Sequence, residues 1–410
     1  MKINEESKTL IVNEIIDKEF YQAHVNALKE QIKEKIKDEK EQIWIPTINY
    51  FILTRGRNLV LKLQQETNKV LFLISEPKII KASDEEAVIE LTFAYQDAKE
   101  KLVIDFKATP NEINQDLIDS YVKKDIDTIL KTKMKEIILE KASENGDYLE
   151  FDFIGKKDGI PFEGGSANNY KLLLGAGQFI PSLESQLVGL KAGDEVDLDV
   201  DFPADYHSET LAGQKTVFSI KVHKVFKNEQ PDFNDEFVKS LAIVNVNTTK
   251  DLKELIAKRQ KELFLSNEDE IFAKLASIEI AEKNNIIPNK ELIDIQLEIR
   301  HKEIEAQMQS SGYTIAQFLE MSGMSQESFD MQIKKELEQE VKALITEAII
   351  IFHENITPSE ENFDELANRL SIIKNVDVSQ IKMELIKQHK KDIYVTHYSY
   401  VKFLKNKKGV

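Results

Sequence analysis

Three carboxylates, Asp197, Asp199 and Asp201, alternate with Val196, Leu198, Val200 and Phe202, and hard oxygen ligands so spaced raise the question of calcium. A period of two puts them on the solvent face of one strand, too far apart to close an ion-binding loop. Gly175-Ala176-Gly177 opens like a phosphate-cradling loop. The third glycine is missing and Gln178-Phe179-Ile180 follows, so a turn is the better reading. The seven histidines never fall at metal-binding helix spacing, and His389 with His397 reads as surface. There is no cysteine, which excludes disulfides and thiolate metal sites. No GxxxxGK[ST] stretch exists, so any action on other chains is expected to be ATP-independent. No cofactor and no metal are expected. The densest group of glycines, interleaved with aromatic residues, falls between Tyr148 and Phe226.

Those residues sit in a compact β-rich stretch between two long, charged, helix-forming flanks. Tyr148 to Ile154 alternates apolar and polar residues, the period of a half-buried strand. Lys157-Asp158-Gly159 supplies a turn. Lys171 to Leu174 is a short apolar run that stops at Gly175, and Ile180, Leu183 and Leu187 then share one helix face. Ala192-Gly193-Asp194 turns the chain into a strand from Glu195 to Phe202, and Lys215 to Phe226 closes the module as a last strand.

Short motifs punctuate these elements in order. They are Phe153-Ile154-Gly155, Asp158-Gly159-x-x-Phe162-Glu163-Gly164-Gly165 and Leu174-Gly175-x-Gly177-Gln178-Phe179-Ile180-Pro181. Leu183-Glu184, Gly189-Leu190-Lys191-Ala192-Gly193, Phe202-Pro203-x-x-Tyr206-His207 and Leu211-Ala212-Gly213-Gln214 follow. Each alone is weak; in order across some eighty residues they resemble the FKBP-type peptidyl-prolyl isomerase domain. With its flanks the chain resembles the trigger-factor family, ribosome-associated bacterial chaperones that carry such a domain in their middle. The resemblance is specific over the centre, good over the C-terminal part and poor over the first sixty residues.

The resemblance implies prolyl isomerisation, which needs no nucleophile, metal or nucleotide. Rotation destroys amide resonance, at a barrier of about 18–20 kcal/mol. An apolar pocket lowers it by removing water from the planar amide and fitting the twisted state. The resemblance puts pocket walls at Phe153, Phe162, Tyr170, Phe179, Ile180, Leu183, Tyr206 and Phe218, with Glu163 beside the proline carbonyl. The Phe179-Ile180 backbone would hydrogen-bond the bound peptide. Leu183 stands where the immunophilin members have a tryptophan floor, and Ser208, not tyrosine, follows the Tyr206 turn. Both departures imply a shallower site. The plain alternative for these aromatics is core packing, and for Phe151 it is the better reading.

At 410 residues the chain has room for two to four domains. A net charge of −17 argues against a general nucleic-acid binder and no direct DNA binding is expected. Met1 to Val12 shows no secretory signal, and no apolar run approaches the eighteen residues a membrane span needs. A soluble, cytoplasmic protein with no membrane partner is the expectation.

Thr9 to Ile16 reads as a strand, with Asp17 capping a helix that carries Phe20, Leu28, Ile32 and Ile36. Ile45-Pro46 begins a second helical pattern through Ile52, Leu59 and Leu63; Val88 to Tyr95 and Lys101 to Lys107 read as a strand pair. In the family the loop joining those helices carries Gly-Phe-Arg-x-Gly-Lys-x-Pro and docks on the ribosome. The matching positions here are Glu39-Lys40-Glu41-Gln42-Ile43-Trp44-Ile45-Pro46, of which only Pro46 is kept. A carboxylate at Glu41 would repel ribosomal RNA phosphates. Trp44, Ile45 and Pro46 remain as apolar docking candidates, and Arg55 and Arg57 as basic ones, against the alternative of a tucked tryptophan and a solvated helix face.

Thr109 to Glu144 reads as a helical connection and Pro231 to Asn247 as an irregular linker. From Thr249 onward the pattern is helical. Stripes run along Ile271, Leu275 and Ile278, then Leu292, Ile295 and Ile299, then Phe329, Ile333, Leu337, Leu344, Ala348 and Ile351. Thr357-Pro358-Ser359-Glu360 has the form of a capping box, and a last helix is expected from Ser379 to Leu404. Ile287-Pro288-x-x-x-Leu292-Ile293 and the Phe318-Leu319 to Gly323 turn resemble the trigger-factor C-terminal region, which in the family cradles unfolded chains. Met308, Met321, Met324 and Met331 fall within two dozen residues, and methionine suits surfaces that must fit many apolar partners, though core filler is the plain alternative.

The expected fold class is multidomain α+β: an N-terminal α+β domain, a central FKBP-like antiparallel sheet with a short helix, and a C-terminal all-α domain with helical arms. The expected limits are 1–108 for a ribosome-binding-like domain, 109–144 for a helical arm, 145–228 for the isomerase domain and 229–410 for the helical chaperone domain. The expected function is an ATP-independent chaperone for nascent or unfolded chains with prolyl isomerase activity, partnered by those chains and by the ribosome near its exit tunnel. Alternatives are a holdase with a vestigial pocket, or a free FKBP-type isomerase without a ribosome role.

Overall fold

The computed structural model of the chain describes residues 1–24, 39–82, 86–206, 208 and 210–410, the side chains of 39–45 and 82 excepted. The described chain forms two compact units, residues 115–258 and residues 1–114 together with 259–410.

The 115–258 unit is built on a five-stranded antiparallel sheet. Its strands are β6 (Lys135–Ile138), β7 (Tyr148–Lys157), β8 (Ile160–Leu173), β9 (Glu195–Asp201) and β10 (Lys215–Glu229), ordered β6-β10-β7-β8 with β9 also on β10. β10 is long enough to take β7 along one side, and β9 and β6 end to end along the other. Alternation decides which faces are buried: Leu149, Phe151 and Phe153 of β7 and Ile220 and Val222 of β10 point into one core. Helix Pro181–Leu187 starts on a proline, whose missing N–H would be unpaired there anyway, and buries Leu183 and Leu187 completely. Each such leucine contributes roughly 1.5–3 kcal/mol by burial. The same helix covers the outer edge of β9: Ser182 Oγ donates to the Asp201 carbonyl at 2.8 Å and Gln186 Nε2 to the Asp199 carbonyl at 2.7 Å.

Three expectations are corrected in this unit. The helix occupies only Gln115–Thr132, not 109–144; residues 109–114 have no regular structure, and Lys135–Ile138 is β6, paired with β10. The apolar run at 171–174 is the end of a 14-residue strand, β8, whose glycines and asparagines hid its length. Within 231–247, Asp235–Ser240 is helical, started by Asn234 accepting the Phe237 N–H.

The other unit opens on an antiparallel sheet of β1 (Lys2–Asn4), β2 (Thr9–Ile16), β3 (Lys69–Leu73), β4 (Lys78–Ala82) and β5 (Ala87–Asp97), ordered β1-β2-β5-β3 with β4 also on β5. Asp17 accepts the Phe20 N–H at 2.8 Å and starts the helical residues 18–24. Helix Glu39–Thr67 lays Ile48, Phe51 and Leu63 on Leu10, Ile16, Ile89, Leu91 and Phe93; Pro46 lies inside it and does not begin it. Leu102, Ile104 and Phe106 alternate as a strand would, yet 101–114 has no regular structure. The segment lies among helices, with Phe106 5.9 Å from Phe272, and side chains replace a strand partner. Asn284 pairs with both backbone groups of Val103, and Glu279 accepts the Lys107 N–H.

Seven helices follow: Thr249–Lys283, Lys290–Ser310, Ile315–Ser322, Gln326–Glu354, Glu360–Lys374, Val378–Lys387 and Lys391–Lys408. Here periodicity misplaced faces. Ile271 and Leu275 are exposed while Phe272, Ala273, Ala276 and Ile280 are buried, and Leu344 is exposed beside buried Ile345 and Ile349. Ser359, not Thr357, caps its helix by accepting the Asn362 N–H, and Gly323 closes Ile315–Ser322 at φ 66°. The expected last helix is broken at 388–390, where His389 takes φ 55°. Val70 and Ala94 of the sheet, with Ala98 just past β5, share a core with Ala281, Leu292, Ile293, Val341, Ile345 and Ile349. Asn289 caps Lys290–Ser310 and donates to the carbonyls of Ser7 and Lys8.

Candidate active site of the central unit

The aromatic motif residues meet as one chain of rings. Tyr206 packs edge-on against Phe202 with centroids 4.7 Å apart, and Phe202 lies 6.0 Å from Phe162. Phe162 meets Phe218 at 5.9 Å, Phe218 meets Phe153 at 6.0 Å, and Phe153 meets both Phe179 at 5.4 Å and Tyr170 at 5.7 Å. Phe179 and Tyr170, 5.4 Å apart, close the end. Most of these contacts are edge-to-face, the arrangement the ring quadrupole favours. Burial divides the set into a floor of Phe153, Leu183 and Phe218 and a half-buried rim of Phe162, Tyr170, Phe179, Ile180 and Tyr206.

Local sequence explains how the rings are held. Gly155 on β7 and Gly165 on β8 leave the Phe162 ring its place: a Cβ at Gly155 would stand 2.6 Å from Phe162 Cζ and 2.8 Å from Phe218 Cζ, and one at Gly165 would strike the same ring. β8 is irregular opposite Phe151 and Phe153, and Asn169 there sits at φ 51° just before Tyr170. Asp152 accepts the Asn169 N–H at 2.7 Å and pairs with His223 at 2.8 Å. Those two contacts, the backbone one first, hold the Asp152 carboxyl below its usual range. Tyr170 is therefore aimed by a bulge that a neighbouring carboxylate fixes.

Not every expected residue joins the rings. Glu163 is exposed on β8. Phe202, absent from the expected walls, joins through Phe162 and Tyr206; the Phe202-Pro203-x-x-Tyr206 motif was its signal in the sequence. Met308 and Met324 are half-buried and Met321 and Met331 exposed, all in the other unit, three on helices between 290 and 354 and Met324 in the connection after Gly323. Arg55 pairs with Asp17 at 3.4 Å and lies over the Phe20 ring, while Arg57 pairs with Asp392 at 3.3 Å and donates to Thr396 Oγ1 at 3.0 Å. Both arginines are engaged within their own unit, and Pro46 is half-buried in its helix. The Trp44 and Ile45 side chains, and His207 beside the Tyr206 turn, lie outside the described ones. Among the described residues no cluster of His, Cys, Asp or Glu has metal-site geometry, and no helix is long and apolar enough to cross a membrane.

An antiparallel sheet with one short helix, closing on a half-buried wall of aromatic rings, has the form of an FKBP-type module. Residues 140–224 match the family described as FKBP-type peptidyl-prolyl cis-trans isomerase, and residues 248–400 match the bacterial trigger factor C-terminus. Over those two stretches the chain is similar to the trigger factor family. It is 37% identical over 275 residues to the trigger factor of Listeria monocytogenes, a match covering 62% of each chain. It is 35% identical over 261 residues to that of Bacillus subtilis, covering 62% of this chain and 61% of the relative. The matches thus span about three-fifths of the relatives' length. A solved trigger factor chaperone aligns along 99% of both chains at 17% identity and a TM-score of 0.38, too loose an overlap to carry weight.

Proposed function

We propose that the protein is an ATP-independent folding chaperone for nascent or unfolded chains that also catalyses peptidyl-prolyl cis-trans isomerisation. The observation that carries the enzymatic half is the continuous ring set with a buried floor and a half-buried rim. A proline seated on Phe153, Leu183 and Phe218, against Phe162, Tyr170, Phe179 and Tyr206, would lose water from its amide. The twisted amide is less polar than the planar one, so removing water favours the twisted state. Among the described residues the Ile180 N–H meets no protein acceptor, while its carbonyl already takes the N–H groups of Leu183 and Glu184. The amide is thus free to hold a peptide carbonyl at the rim. Exposed Glu163 would stand beside that peptide. The methionines Met308, Met321, Met324 and Met331 serve client binding on this reading, and residues 1–108, 109–144, 145–228 and 229–410 serve ribosome contact, connection, isomerisation and client holding. Cytoplasmic action follows from nascent chains as clients.

Two measurements test the reading. A proline tetrapeptide should interconvert faster with the protein present; a rate equal to buffer would remove the enzymatic half. The second is co-sedimentation with ribosomes at graded salt. With Glu41 where the family has arginine, and Arg55 and Arg57 engaged elsewhere, docking would rest on Trp44, Ile45 and Pro46 and should weaken only modestly with salt. A steep salt dependence would point to basic contacts instead, and absence of co-sedimentation would remove the ribosome from the proposal.

A further inference from the structure

The turn that leads into helix Pro181–Leu187 closes around a buried carboxylate. Glu184 is 6% exposed. Its Oε1 accepts the N–H groups of Gly175 at 2.7 Å and Gly177 at 3.2 Å, and its Oε2 accepts the Phe179 N–H at 3.2 Å. Gly175 and Gly177 have φ 84° and 67°, a backbone that turns alternate N–H groups to one side. A side chain serving only as a helix cap would take the N–H groups of the first helical turn. This one reaches back along the chain to the turn ahead of it. The Ile180 carbonyl accepts the Glu184 N–H at 2.9 Å, so the same residue is tied to Ile180 by backbone and to Phe179 by side chain.

We infer that Glu184 is a positioning residue for the ring site, its carboxylate setting where the Phe179 ring and the Ile180 amide stand. Burying a carboxylate is costly unless both oxygens are engaged, and charge-assisted bonds to backbone N–H groups are the strong kind. Phe179 in turn touches Phe153 and Tyr170, so a shift of its backbone moves one wall of the site while the Phe162–Phe218 wall stays. A glutamine of the same shape offers one acceptor and one NH2 donor, and the donor would face an N–H. Either the Phe179 N–H or the glycine pair then loses its acceptor. The loss should fall on kcat, because a displaced wall spoils the fit to the twisted amide more than contact with the planar one.

This inference rests on the isomerase reading above. The test uses the full-length protein and a proline tetrapeptide, comparing Glu184→Gln, Glu184→Asp and Ser143→Ala. Ser143 is a buried hydroxyl of the same unit that donates to the Leu187 carbonyl, outside the ring set, and serves as a control for losing a buried hydrogen bond elsewhere in the unit. Glu184→Gln should lower kcat about tenfold with KM changed less than about threefold, a difference of ~1.4 kcal/mol in the barrier. The Phe179 amide resonance should move with it. Glu184→Asp, which keeps the charge, should recover part of the rate, and Ser143→Ala should stay within about twofold of the parent. A parent protein without turnover would overturn the isomerase reading itself. An active parent whose Glu184→Gln variant keeps its rate, or loses no more than Ser143→Ala at equal thermal stability, would overturn the role of Glu184 alone.

Discussion

Phe162 is the ring whose truncation separates site from core most cleanly. It is half-buried and touches Phe202 and Phe218, while glycines on two strands make room for it. Phe162→Ala should cut turnover of a proline peptide about tenfold, ~1.4 kcal/mol of lost transition-state stabilisation. Binding of an unfolded protein lacking proline should hardly change; equal loss of both would make the ring a packing element only. Phe218→Ala should lose the same activity and also destabilise the unit by roughly 3–5 kcal/mol, because that ring is buried between three others. Gly155→Ala works from the other side, its methyl pressing on Phe162 and Phe218. Activity should fall about fivefold or more, on the scale of the 1–3 kcal/mol that overpacking costs. An unchanged rate would mean that the Phe162 ring is free to move aside. The order of the motifs along the chain makes most of these residues legible in the sequence. Phe202 and Glu184 stand in those motifs without a role, because spacing says which face a residue takes and not which ring or amide it meets.

At the scale of elements, His397 joins three helices. From Lys391–Lys408 its Nδ1 lies 2.8 Å from Glu347 on Gln326–Glu354, and its Nε2 lies 3.1 Å from Glu270 on Thr249–Lys283. With a carboxylate on each side, both nitrogens donate only when the ring is protonated. Glu270 first and Glu347 second push its pKa up to about 10. A base whose pKa is raised by folding stabilises the fold fully below its unfolded value, near 6.5, and loses that contribution as pH climbs through about 10. Thermal unfolding followed by helix signal should therefore show a midpoint that falls across that window, and His397→Gln should lower the midpoint at pH 7 and flatten the fall. A His397→Gln profile parallel to the parent's would sink the idea. The sequence pattern puts His397 on the surface, since its partners lie 50 and 127 residues away. The Ile271 and Phe272 stripes failed for a related reason. They differ by one residue, about 100° of helix rotation, and close helix packing selected the face with Ala273 and Ala276 over the larger side chains.

The whole molecule pairs its first 114 residues with its last 152, and the ring-bearing unit is an insertion between them. Composition gives no hint of that pairing, because the apolar face of β3 and β5 reads the same whether it meets its own helices or distant ones. The pairing has a consequence for dissection. Val70, Ala94 and Ala98 are buried by Ala281, Leu292, Ile293, Val341, Ile345 and Ile349, and Phe106 by Phe272 and Tyr400. A fragment of residues 1–114 would expose that surface, at about 25 cal/mol for each Å² of apolar area, and should aggregate or unfold at a much lower temperature than the full chain. Adding residues 259–410 as a separate chain should restore its midpoint. Residues 115–258 carry their own sheet and core, so that fragment should fold alone and turn over a short proline peptide within about twofold of the full chain. It should not prevent aggregation of a long unfolded client, because the exposed methionines Met321 and Met331 and the apolar residues Ile271, Leu275 and Leu344 stay behind in the other unit. Light scattering of a denatured client at equal molar amounts decides it: full suppression by the 115–258 fragment would put client holding in the isomerase unit and leave the helical half without that role.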